Sequence, residues 1–222
     1  MIDRKSLPHL AAEDHVCGDC ALSYPDTNIE QAVQVITALP RAVQEAVSAI
    51  PREARRIRPN PTTWSVTEYV CHLRDVYVTY TVRLHRTRTE DNPSLEPVYN
   101  ELRARRFRYN ERDVGAVMDE LQAVAVGFCD EIARVRHHDW ERTATRLPGE
   151  QRTARWRVAC RHASSRERGG AYLFWGKPSS MPPWLGSSQR LVMALPRVKN
   201  CTPSAPWACA SPNSDAFQPP KL

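Results

Sequence analysis

The sequence predicts an all-α protein, a four-helix bundle with a truncated or degenerate fourth helix and an irregular C-terminal tail. Three observations carry this. Three stretches of twenty-odd residues repeat apolar side chains at the helical period. Two of them open on capping boxes, T-N-I-E at Thr27 and S-V-T-E at Ser65. No strand-rich or internally repeated pattern competes.

Residues 1–26 read as an irregular N-terminal arm, and the bundle is expected over 27–162. The first helix starts near Thr27 and carries Ile29, Val33, Ile36, Val43, Val47 and Ile50 on one stripe. Pro40 is expected to kink or split it. The turn PNPTTW follows. The second helix runs from Ser65 to about Arg88, with a wide stripe from Val66 through Tyr69, Leu73 and Tyr77 to Leu84. A long polar crossover spans 89–109, with a short helical turn expected around Tyr99–Arg106. The third helix starts near Asn110 or Asp113 and holds Val117, Leu121, Phe128 and Ile132 in period. The segment HHDWERTATRLPGEQ reads as a partly extended connection, and the fourth helix is expected from near Glu150. From about Arg157 the periodicity fades.

The tail, residues 163–222, is rich in Pro, Ser and Arg. Half of the 18 prolines lie beyond Arg157. Such a composition does not readily form regular elements. The tail also explains the pI of about 9.1. Residues 157–222 hold nine Lys and Arg against Glu167 and Asp215, leaving 22 basic and 23 acidic side chains in residues 1–156. The bundle is thus near neutral, and nucleic acid is not an expected partner. A mean hydropathy of −0.54 and the lack of any long apolar run exclude a membrane span, and the N-terminus lacks a signal-peptide core. A cytoplasmic protein with mostly reduced thiols is expected. Of seven cysteines, Cys71 and Cys129 fall in helices as small core residues. Cys17 and Cys20 form a single CGDC. A zinc half-site or redox pair would need more ligands or a thioredoxin-like setting, and neither follows, so packing of the arm on the bundle is the expectation.

CGDCALSYPDT, WSVTEYVCHLRDVYVTYTVRLHR, ELRARRFRYNERD and HDWERTATRLPGEQRTARW together resemble the DinB-like (YfiT-type) superfamily, in its actinobacterial form, over residues 17–156. The resemblance implies a four-helix bundle holding a divalent metal of the zinc or nickel class through three histidines. One comes from the second helix and two from an H-x-x-x-H pair on the fourth. Some relatives are thiol-dependent transferases or isomerases. The position matching the second-helix ligand is His72, with Asp75 one turn later as a support and Glu68 one turn earlier. Beyond Trp156 the sequence reads RVACRHASSRERGGAYLFWG, with His162 alone and Arg166 four residues on. The fourth-helix pair is absent.

The break is abrupt, and Arg greatly outnumbers Lys, as in GC-rich genes. The tail therefore reads as a disordered segment or a shifted reading frame. Two functions lead, ahead of a third in which the basic tail binds nucleic acid. One is a metal-dependent DinB-like protein with His72 as a ligand and a small-molecule or thiol substrate. The other is a non-catalytic, degenerate bundle in which His72 is a relic. A short fourth helix leaves apolar faces exposed, so a homodimer is an expected partner arrangement. The run ELRARRFRYNER is read as a solvated crossover with local salt bridges.

Overall fold

The computed structural model describes residues 7, 9–16, 23–61 and 63–160. Helix α1 spans Ile29–Ser48. Its cap is Asn28, whose side chain accepts from the Gln31 N–H at 3.1 Å. This corrects the expected cap by one residue. Thr27 is instead buried, with its hydroxyl donating to the Ser23 carbonyl at 2.9 Å. Pro40 does not split the helix. It is buried on the same face as Ile36, Leu39 and Val43, and core packing on both sides offsets the missing hydrogen bond.

Helix α2, Val66–Thr89, opens on the capping box read from the sequence. Ser65 Oγ accepts from the Glu68 N–H at 3.2 Å, and Glu68 Oε2 accepts from the Ser65 N–H at 2.8 Å. Asn92, in left-handed backbone at φ 40°, and Pro93 turn the chain away after its end. The crossover contains the short helix α3, Asn100–Arg106, and a 3-10 turn at Tyr109–Glu111. Helix α4, Val114–Ala133, is the third long helix and is capped by Asp113, which accepts from the Ala116 N–H at 2.8 Å.

The two longest contact partners, α2 and α4, run parallel. Arg74 pairs with Glu120, and eleven residues further along both helices His85 Nδ1 lies 3.3 Å from Glu131. A tight hairpin cannot join parallel helices, so the chain needs the long crossover. After a 3-10 turn at His137–Asp139 come two strands, β1 Thr143–Thr145 and β2 Gln151–Thr153, paired antiparallel with Ala144 opposite Arg152. The connection is therefore a hairpin, turning at Gly149 with φ 76°. Glu150 lies in it, so the fourth helix starts later than expected: residues 154–160 are helical and form α5.

The core joins Ile36 and Val43 of α1, Val70 and Leu84 of α2, Leu121 and Phe128 of α4, and Trp156 and Val158 of α5. Cys71 and Cys160 are buried in it, while Cys129 is half-buried with Sγ 3.5 Å from Thr37 Oγ1. The arm straps the hairpin. Glu150 accepts from the Leu10 N–H, Glu13 accepts from the N–H and hydroxyl of Thr153, and Trp156 Nε1 donates to the Ala12 carbonyl at 3.1 Å. Among the described residues no helix is long and apolar enough to cross a membrane.

Candidate functional site

His72 sits in the second turn of α2 and is 6% exposed. Trp64 packs against it in a T-shaped arrangement, with ring centroids 5.1 Å apart at 73°. Trp64 is itself held by Glu101 of α3, whose Oε2 accepts from Nε1 at 2.7 Å. Arg58 forks onto Glu68 at 2.6–3.1 Å and reaches Glu101 at 3.6 Å. The cap of α2, the preceding turn and the crossover are thereby tied together around one histidine.

One turn on, Asp75 is a buried hub. It accepts from Arg74 at 2.8 Å, from Arg103 at 2.6 and 3.0 Å, and from the Tyr109 hydroxyl. Burial alone would raise its pKa. The hydrogen bonds from Tyr109 and Arg103 and the charges of both arginines outweigh that and hold it below the usual carboxylate range. Burial, then the Asp75 carboxylate, push the Tyr109 phenol upward. Burial also pushes the Cys71 thiol up to about 11, so it stays protonated at neutral pH. These groups lock the crossover onto α2. None is tuned to exchange a proton near neutrality.

A second buried charge lies at the start of α5. Arg157 is 1% exposed. It donates to Thr87 Oγ1 at 3.0 Å and to the Ala144 carbonyl at 2.9 Å, while Nη1 has no partner among the described residues. Burial pushes its pKa down to about 10, so it remains a cation at neutral pH.

The donor set of the described residues does not by itself make a three-histidine metal centre. Among the described residues no group of three His, Cys, Asp or Glu side chains could hold a metal. The seven histidines of the sequence include no pair spaced by four. His137 and His138 lie exposed in a 3-10 turn after α4, with His138 Nε2 3.4 Å from Asp139. Arg157 meets α2 at Thr87, fifteen residues from His72 and about 22 Å along the helix axis. Residues 154–160 therefore do not bring a ligand to His72. Cys17, Cys20, His162 and the tail lie outside the described residues.

The profile of the DinB superfamily matches residues 36–160. The chain belongs to the DinB superfamily. A DinB-like solved structure, YfiT from Bacillus subtilis, shares the fold with a TM-score of 0.59 at 15% identity, over 64% of this chain and 81% of that one. That protein is described as a probable metal-dependent hydrolase with an unusual four-helix bundle topology. No curated protein matches the chain. Within this DinB bundle, the partners that sequence reasoning missed are long-range: Glu101 for Trp64, Arg103 and Tyr109 for Asp75, Thr87 for Arg157. Each pair is more than 25 residues apart, and no local spacing announces it.

Proposed function

We propose that this chain is a DinB-superfamily bundle that retains the second-helix histidine, His72, without completing a divalent-metal centre from its own residues. It acts as a non-catalytic bundle. The observation supporting this is the donor set: one buried histidine on α2, no H-x-x-x-H in the sequence, and no group of three ligands among the described residues.

The competing reading is a metal-dependent protein of the zinc or nickel class with a low-molecular-weight thiol as co-substrate. The burial of His72 beside Trp64 favours it, because a ligand position is normally shielded in this way. Metal analysis of the purified chain separates the two. Equal, substoichiometric zinc and nickel in the parent and in His72→Ala is expected. Stoichiometric metal that disappears in His72→Ala would overturn the proposal.

The fading periodicity beyond Arg157 supports two linked readings. One is a shifted frame, tested by sequencing the gene across codons 150–175. An alternative frame that continues the helix with H-x-x-x-H would identify a metal-binding parent. The other is a homodimer in which a second copy covers the open apolar faces, tested by light scattering for twice the chain mass.

A further inference from the structure

Two arginine-rich segments far apart in the sequence lie side by side. The first, residues 52–58, follows α1. The second, residues 103–112, closes the crossover. Arg56 Nη2 donates to the Arg112 carbonyl at 3.3 Å, and Asn110 Nδ2 donates to the Arg56 carbonyl at 2.6 Å. Arg58, Arg103 and Arg108 spend their charges on Glu68, Asp75 and Glu111. Arg52, Arg56, Arg106 and Arg112 do not: all four are exposed and have no ion pair among the described residues. Of the acids nearby, Glu101 holds Trp64, Asp113 caps α4 and Glu111 pairs with Arg108, which leaves Glu53 as the one exposed acid of the two segments without an ion pair among the described residues. The same two segments expose Ile57 at 56% and Phe107 at 50%.

We propose that this surface docks an acidic, amphipathic segment of a partner protein. Guanidinium forks match carboxylates in paired, planar geometry. Ile57 and Phe107 offer the apolar contact that such a segment would bury between its acids. Nucleic acid fits less well. Phe107 is the lone exposed aromatic ring in these segments, too few for successive bases to stack. Residues 1–156 carry one more acidic than basic side chain, so the bundle lacks the broad positive field that a long polyanion follows.

The test is fluorescence anisotropy with the full chain and a fluorescein-labelled peptide of repeated Glu-Glu-Leu-Leu units. Arg52→Glu/Arg106→Glu reverses two exposed charges that hold nothing else, and Arg52→Gln/Arg106→Gln is a milder version. Arg41→Glu, on α1, is the control. The basic tail is unchanged in every variant, so it cannot produce a difference among them. The expected result is that both double variants bind about tenfold or more weakly, that Arg41→Glu binds as the parent does, and that melting curves coincide. An all-glutamate peptide of equal length should also bind more weakly. Equal affinity of parent and double variants would overturn the proposal. So would binding of an oligothymidylate in preference to the peptide if both double variants weaken that binding too, which would indicate a nucleic-acid surface.

Discussion

Arg157 and Thr87 meet at the beginning of α5: the guanidinium Nε lies 3.0 Å from the hydroxyl, which itself donates to the Arg83 carbonyl at 2.6 Å. This contact sets where the fourth helix enters the bundle. It also buries a charge without a paired carboxylate among the described residues, next to a second cation, Arg83. A buried ion lacking a counter-ion costs several kcal/mol of hydration. Arg157→Met keeps the volume apolar and is expected to raise stability by about 1–2 kcal/mol in urea denaturation. A loss of stability would mean that its hydrogen bonds outweigh the desolvation.

Asp75 is the opposite case, a buried anion with its partners in place. Asp75→Asn removes the anion that Arg74 and Arg103 pair with and replaces one accepting oxygen by a donating NH2, so the remaining oxygen cannot serve Arg74, Arg103 and the Tyr109 hydroxyl together. The expected cost is about 3 kcal/mol. Because the lock holds the crossover, amide exchange should accelerate across residues 100–111 more than across α4. Uniform acceleration would show that Asp75 supports the whole bundle and not the crossover in particular.

Asp75 and Glu150 also set the acid limb of stability. Glu150 is buried, which would raise its pKa. Arg146, the Leu10 N–H and the charge of Arg152 reverse that and hold it low. A depressed carboxylate binds fewer protons folded than unfolded. Its contribution is complete above the unfolded value, about 4 for either acid, and is lost as pH falls through the folded value. Stability should therefore decline below about pH 4–5. The decline should be shallower in Asp75→Asn. Parallel acid limbs in parent and variant would contradict this origin.

Ser65 caps α2 and donates through Oγ to Asn110 Oδ1 at 2.7 Å. Ser65→Ala loses both bonds at a buried position, with an expected cost of about 1–2 kcal/mol. Ser65→Asp should restore part of the capping. If Ser65→Ala melts like the parent, Glu68 and Arg58 alone suffice to fix this helix start.

The contrast between α2 and α5 shows which features were legible. The box at Ser65 is local: four consecutive residues contain both partners, so the sequence declares the helix start. At Thr27 and Asn28 two adjacent side chains could each cap, and only the packing of Thr27 against Ser23 decides. The hairpin was harder. Strands of three residues are too short to show alternation, and Glu150 looks like a helix start until Arg146 and Leu10 claim it. His72 was placed correctly on α2, and its burial was foreseeable from its position at the edge of the apolar stripe. The Asp75 hub was not, because Arg103 and Tyr109 arrive from the crossover, 28 and 34 residues away.

The strap between the arm and the hairpin has a bearing on synthesis. Leu10, Ala12 and Glu13 are made before the bundle, yet their partners Glu150, Trp156 and Thr153 are made about 140 residues later. At roughly 5–20 residues per second the arm waits many seconds for its seat. Closing so large a loop comes late in folding. The arm is thus the last part to find its place, and a nascent chain halted before Trp156 carries three long helices with the arm still unfastened.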